Sequence, residues 1–130
     1  MRVLLDTQCW LWMQVSPERF APAALEIVSD TANELLLSAA SCWEIAIKFA
    51  LGKLPLPLSP AEYVPSRLQT SGVLTLPVSA RHALHVATLP PHHRDPFDRL
   101  LVAQAQLEEL SLLTADRQIA AYDVRLILAS

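Results

Sequence analysis

Residues 2–7, Arg2-Val3-Leu4-Leu5-Asp6-Thr7, decide the fold of this chain. The apolar residues follow one another without alternating with polar ones, as is typical of a parallel strand that is covered on both faces. An aspartate comes directly after them, and residues 7–15 have the pattern of a short helix. A buried strand that leads into a helix predicts the first unit of an α/β protein.

The same alternation continues along the rest of the chain. Buried strands are predicted at residues 34–39, 73–78, 110–114 and 122–128. Helices are predicted at residues 23–32, 40–51, 61–71, 80–88, 98–109 and 116–121, and Gly52 stands where helix ends favour glycine. The closely spaced prolines of residues 54–60 indicate an extended connector. We therefore predict one domain, residues 1–130, with an α/β/α sandwich around a mostly parallel sheet of four to five strands.

Composition limits the classes of protein that remain. The chain has 130 residues, 52% of them hydrophobic, but no uncharged apolar run reaches the roughly 18–20 residues that cross a bilayer. Residues 1–15 make a poor signal peptide because Asp6 interrupts them. We expect a cytoplasmic protein without a membrane partner, whose surplus apolar surface is covered in an interface. Cys9 and Cys42 lack CxxC spacing and are expected to be reduced, buried thiols.

Four acidic motifs stand where apolar elements end or helices begin. Asp6 and Asp116 follow predicted strands, while Glu44 and Asp98 fall in the first or second turns of predicted helices. Each acid also has a structural alternative. Asp6 and Asp116 could be helix N-caps, and Glu44 could pair with Lys48 one helical turn later. Asp98 could be a first-turn acid that interacts favourably with the helix dipole. In a parallel sheet, however, all four would meet at the carboxyl edge, where ligands bind.

Such a convergence of carboxylates predicts a metal site. Two negative charges ~5 Å apart at an effective dielectric constant near 20 repel by roughly 3 kcal/mol, so several together require a compensating cation. Carboxylates without a nearby cysteine select a hard ion, Mg²⁺ or Mn²⁺. Ions of this kind polarise phosphoryl oxygens and activate water, which makes phosphodiester hydrolysis the natural reaction. A net charge of −3 argues against general nucleic-acid binding but is compatible with a nuclease cleft.

These motifs carry a family resemblance. The chain resembles PIN-domain proteins, and among them the VapC-type toxins of toxin–antitoxin pairs, over nearly its whole length. The matching segments are Leu4-Leu5-Asp6-Thr7, Ser41-Cys42-Trp43-Glu44-Ile45-Ala46-Ile47-Lys48, Asp95-Pro96-Phe97-Asp98-Arg99-Leu100-Leu101-Val102-Ala103-Gln104-Ala105 and Leu113-Thr114-Ala115-Asp116. The Asp-Pro-Phe-Asp-Arg start of the helix is the most specific of them.

The resemblance implies a metal-dependent endoribonuclease for single-stranded RNA that a cognate antitoxin holds inactive, and it implies a homodimer. It makes Asp6 and Asp98 the principal Mg²⁺ ligands. Glu44 would complete the ligand set or act through a water, and Asp116 would bind a second ion or orient water. The products would be 5′-phosphate and 3′-hydroxyl ends.

Several other residues have roles that the sequence leaves open. Asp95 is expected to cap the loop, and Thr7 and Thr114 to hydrogen-bond neighbouring carboxylates or waters, although many relatives have Asn where Thr7 stands. His92, His93, Arg99 and Arg117 are candidates for phosphate or partner contacts, or for a solvated loop and charge balance. Core or interface packing is expected for Trp10, Trp12 and Trp43 rather than base stacking.

One alternative metal site and two alternative functions remain open. A zinc site would need His82 or His85 to meet the later histidines, and their spacing fits no closed motif. A haloacid-dehalogenase-type phosphatase would need a second acid two residues after Asp6, where Gln8 stands. A catalytically inactive PIN-like binding module would keep the fold without the chemistry.

Overall fold

The computed structural model describes all of residues 1–130 as one parallel sheet between two layers of helices. The five strands are β1 Arg2–Leu5, β2 Glu34–Ser38, β3 Leu74–Leu76, β4 Ser111–Thr114 and β5 Arg125–Leu128. The six α-helices are α1 Thr7–Val15, α2 Pro22–Ser29, α3 Ala39–Ala50, α4 Pro60–Ser71, α5 Ala80–His85 and α6 Pro96–Leu107. Short 3-10 helices occupy Pro17–Arg19, Val86–Thr88 and Arg117–Ala121.

The strands lie in the order β3-β2-β1-β4-β5, and every pair is parallel. The first strand is therefore central, with Leu5 beside Leu37 of β2 and Leu113 of β4. The chain moves outward on one side of β1 and then returns to the other side, so the strand order reverses between β1 and β4. Ligands of α/β proteins bind at such a reversal, beyond the carboxyl ends of the strands.

Burial on both faces of β1 confirms the opening prediction. Val3, Leu4 and Leu5 are fully buried, and successive residues face opposite layers. Val3 and Leu5 belong to a core that α1, α2 and α4 cover, whereas Leu4 belongs to a second core beneath α6. These two cores account for the uninterrupted apolar run, since no residue of the strand interior meets solvent.

The predicted element order is confirmed, and the differences lie at the ends of elements and in the type of one helix. Strand β3 and strand β5 are shorter than the predicted 73–78 and 122–128, and the predicted helix 116–121 is a 3-10 turn. Helix α6 begins at Pro96, two residues before the predicted start, because proline is favoured in the first helical turn and Asp95 caps it. The sheet is wholly parallel. None of the helices has the length and hydropathy of a bilayer-crossing segment.

Candidate active site

A cavity of about 550 Å³ opens at the carboxyl edge of the sheet. The four predicted acids all line it, although they come from four different elements. Its other polar or charged lining residues are Thr7, Gln8, Lys48, Lys53 and Asp95. No cysteine lines the cavity, so its carboxylate-rich donor set fits a hard divalent ion.

Asp6 is the most deeply buried of the four acids, with 6% of its surface exposed. It caps helix α1 through an N–H···Oδ1 bond of 2.7 Å from Cys9, and its Oδ2 accepts a short hydrogen bond from the hydroxyl of Thr114. Burial raises the pKa of Asp6 above its ordinary value, while the bonds from Thr114 and Cys9 oppose that rise. Strand β4 thus supplies the group that orients the acid at the end of β1.

Glu44 lies one turn into helix α3 and is 7% exposed. The Thr7 hydroxyl donates to Glu44 Oε1 at 2.6 Å, and Lys48 Nζ donates to Oε2 at 2.7 Å. The hydrogen bond to Glu44 is the main reason that the pKa of Lys48 is raised. The predicted i,i+4 pair is therefore present, and it lines the cavity at the same time.

Asp98 differs from the other acids because few protein groups stabilise its negative charge. Its carboxylate has one polar protein partner, the Nε2 atom of His93 at 3.3 Å from Oδ2. Burial is the largest cause that raises the pKa of Asp98 to about 7, the negative charge of Asp95 is the next, and His93 opposes both. Asp95 itself caps α6 by accepting from the backbone N–H of Phe97 at 2.8 Å, which confirms its predicted role.

Asp116 follows β4 and is held through both carboxylate oxygens. Oδ1 accepts from the N–H of Gln118 at 2.9 Å, and Oδ2 lies 2.6 Å from His93 Nε2. Burial acts to raise the pKa of Asp116, but the bonds from His93 and Gln118 outweigh it and leave the pKa below its ordinary value. Thr114 also accepts from the Asp116 N–H at 3.0 Å, which links this acid to Asp6.

The comparison with known proteins agrees with this geometry. A family model described as the PIN domain matches residues 3–125. The chain belongs to the PIN-domain family. The family match confirms the resemblance seen in the four acidic segments, and it removes the basis for the haloacid-dehalogenase alternative.

Individual PIN-domain relatives give narrower similarities. Ribonuclease VapC16 of Mycobacterium tuberculosis is 52% identical over 59 residues, which are 45% of this chain and 42% of that protein. The aligned segment therefore spans less than half of the relative's length. The VapBC2 structure from Rickettsia felis, bound to a DNA fragment from its promoter, has a TM-score of 0.69 at 15% identity, with full coverage of both chains. A toxin–antitoxin complex from Klebsiella pneumoniae has a TM-score of 0.62 at 15% identity, covering 96% of this chain and 95% of that chain. These structures share the PIN fold.

Among the histidines and arginines that were candidates for phosphate or partner contacts, only His93 contacts any of the four acids. Arg99 donates to the backbone oxygens of Val86, Leu89 and Pro90 and to Tyr122 Oη, so it stabilises the preceding loop. Arg117 lies 3.3 Å from the oxygen of Ser130. His93 differs from them because its ring contacts Asp98 and Asp116.

The histidines and tryptophans do not form a zinc site or a common stacking surface. His82 pairs with Glu108 and His85 with Gln106, away from the cavity. Trp10 is fully buried in the core, as expected. Trp43 is 63% exposed and contacts Phe97 edge to face, so the core does not cover it. Cys9 is buried, Cys42 is half-buried, and both are free thiols.

Proposed function

We propose that this PIN domain is a divalent-metal-dependent endoribonuclease that hydrolyses phosphodiester bonds in single-stranded RNA. The observation that carries the proposal is the convergence of Asp6, Glu44, Asp98 and Asp116 on one cavity of about 550 Å³. Three of these acids are held by hydrogen bonds, and burial leaves the fourth with a pKa of about 7. A site built in this way favours a cation.

Asp6 and Asp98 are the proposed principal ligands of Mg²⁺ or Mn²⁺, with Glu44 and Asp116 completing the oxygen donor set. When bound, such an ion stabilises negative charge on the phosphate and makes water more nucleophilic. The residues of the chain fix the geometry: the hydroxyls of Thr7 and Thr114 orient Glu44 and Asp6 before any ion arrives. Because the proposed nucleophile is water and not the ribose 2′-hydroxyl, and the P–O3′ bond is the one broken, the expected products are 5′-phosphate and 3′-hydroxyl ends.

Cations on the rim of the cavity provide a place for the substrate. Lys48 and Lys53 both line it, and Lys53 has no carboxylate partner. A phosphodiester that reaches the acids therefore passes an unpaired ammonium group, which favours the polyanion locally despite the net charge of −3. This arrangement supports RNA as substrate over a neutral or cationic molecule.

We further propose that the chain is the toxin of a toxin–antitoxin pair in the cytoplasm and that it forms a homodimer. The 52% identity of one segment to a VapC ribonuclease and the shared fold with toxin–antitoxin complexes support this. The test begins with the reading frames that neighbour its gene: the product of a small one should copurify with this chain as the cognate antitoxin and suppress cleavage. Unchanged cleavage in the presence of that protein would contradict the toxin proposal but would not affect the nuclease proposal.

The nuclease proposal is tested with purified protein, end-labelled single-stranded RNA, and Mg²⁺ or Mn²⁺. Cleavage should stop with a chelator and should fall by orders of magnitude in Asp6→Asn and Asp98→Asn. Asp123→Asn is the matched control, because this exposed acid undergoes the same charge change outside the cavity. Equal activity in all four proteins, or 2′,3′-cyclic phosphate ends, would refute the assignment. A wild type that binds no ion at millimolar Mg²⁺ would favour the inactive binding module.

A further inference from the structure

His93 lies in the loop before α6 with both ring nitrogens in polar contact. Its side chain is 11% exposed. Nε2 lies 2.6 Å from Asp116 Oδ2 and 3.3 Å from Asp98 Oδ2. On the other side of the ring, the backbone N–H of Asp95 donates to Nδ1 at 3.0 Å. The neighbouring His92 points elsewhere and packs edge to face against Tyr122.

The contact with Asp95 determines where the ring carries its proton. A backbone N–H can only donate, so Nδ1 must present its lone pair to it. A proton on Nδ1 would set two donors against each other at 3.0 Å, so the contact selects the tautomer with its lone pair on Nδ1. This tautomer carries a proton on Nε2, which lies 2.6 Å from Asp116 Oδ2.

This proton position decides between two roles for the histidine. One ligand atom from each of His93, Asp98 and Asp116 lies within 4.8 Å of the others, a spacing that a metal ion bridges. Coordination through Nε2, however, requires its lone pair, and the Asp95 N–H keeps the proton on that atom. The ring is thus a hydrogen-bond donor to Asp116 rather than a metal ligand beside it.

We propose that His93 is a positioning residue that holds Asp116 beside Asp98, in the orientation in which the two acids bind the catalytic ion. This inference rests on the proposed nuclease function and extends it. The same Nε2 atom lies 3.3 Å from Asp98 Oδ2 and is the one polar protein group at that carboxylate. Asp116 would keep only the contact from Gln118, which restrains one of its two oxygens. Outer donors of this kind typically contribute about 10- to 100-fold to metal affinity.

Two substitutions separate the roles of the two ring nitrogens. His93→Gln places an amide donor at the same number of bonds from Cα as Nε2, whereas His93→Asn reaches only the position of Nδ1. Mn²⁺ titration of the purified chain by calorimetry should show an affinity within about threefold of wild type for His93→Gln and a loss of about tenfold or more for His93→Asn. His92→Asn is the matched control and should bind Mn²⁺ like wild type.

The outcomes distinguish this inference from the proposed function. A wild type that cleaves RNA with Mn²⁺ while His93→Asn binds the ion equally well would overturn the positioning role alone. Spin-echo modulation from a ¹⁴N nucleus coordinated directly to bound Mn²⁺ would overturn it too, by making the ring a ligand. If the wild type binds no Mn²⁺, the proposed function fails, and nitrogen NMR of the metal-free protein still tests the geometry. An Nε2–H tautomer supports the positioning role, and an Nδ1–H tautomer refutes it.

Discussion

Replacing Asp98 with asparagine should stabilise the metal-free protein while it destroys the proposed metal site. The ordinary pKa of an aspartate is 3.8, and in the folded protein burial and the charge of Asp95 raise the pKa of Asp98 to about 7. Above that pH the fold therefore holds an ionised group in a place that favours the neutral form. Asparagine has nearly the same shape as the protonated aspartate and never ionises.

The sign and size of the effect follow from proton linkage. The pKa of Asp98 is higher in the folded protein than in the unfolded chain, so the folded protein binds the proton more tightly. The stability that this proton contributes to the fold is complete below pH 3.8 and is lost as the pH rises through 7. At about 1.4 kcal/mol for each pH unit, the ionised carboxylate costs at most about 4 kcal/mol at pH 8. For a domain of this size, about 1 kcal/mol corresponds to roughly 3–5 °C in Tm.

Thermal unfolding followed by circular dichroism in the presence of a chelator measures this directly. At pH 8 the Tm of Asp98→Asn should exceed that of wild type by roughly 10 °C, and the difference should shrink steadily toward pH 4. Asp123→Asn should match wild type at every pH, because Asp123 is exposed. Adding Mg²⁺ should then stabilise wild type at pH 8 and leave Asp98→Asn unchanged. A less stable Asp98→Asn, or a difference that does not vary with pH, would refute the reasoning.

Three further predictions follow from the same contacts. The affinity for Mn²⁺, measured by calorimetry, should be about tenfold weaker at pH 6 than at pH 8 because the ion must displace the proton of Asp98; equal affinities would contradict this. Thr114→Val should destabilise the protein by about 1–3 kcal/mol in urea unfolding, because it leaves a buried oxygen of Asp6 and the N–H of Asp116 without their partner. Arg99→Lys should also destabilise it by about 1–3 kcal/mol, through lost bonds to loop carbonyls, with no change in the KM for RNA. A raised KM for RNA without a loss of stability would instead indicate that Arg99 contacts the substrate.

The sequence predicted the sheet and the cavity lining because both depend on local patterns. An apolar run without alternation identifies a doubly covered strand, and an acid after it must lie at the carboxyl edge if the sheet is parallel. In the sequence, capping a helix and lining a metal site are alternative roles for such an acid. In the structure the two coincide: Asp6 and Asp116 each cap a helical segment and line the cavity with the same carboxylate. Capping restrains the side chain, which is also what a preorganised ligand requires.

The contacts made across the sheet edge were beyond sequence reasoning. The role of His93 depends on a loop conformation that brings its ring to Asp116, 23 residues later, and no periodic pattern encodes that approach. Arg99 stands next to an acid in the sequence, yet it turns away and binds the carbonyls of its own preceding loop. The available signal was the short interval from His93 to Asp95 and Asp98, which allows a hydrogen bond within one turn of the helix start.

The distribution of compensating donors explains why the cavity can tolerate so many acids. Glu44 has an ammonium partner, and Asp6 and Asp116 each accept two hydrogen bonds. Those three acids are therefore oriented and partly stabilised in the metal-free protein. Asp98 is the acid left with a single partner at 3.3 Å, and the destabilisation of the folded state is concentrated on it. Because a bound cation removes that cost, part of the attraction for the ion comes from relief of an unfavourable charge.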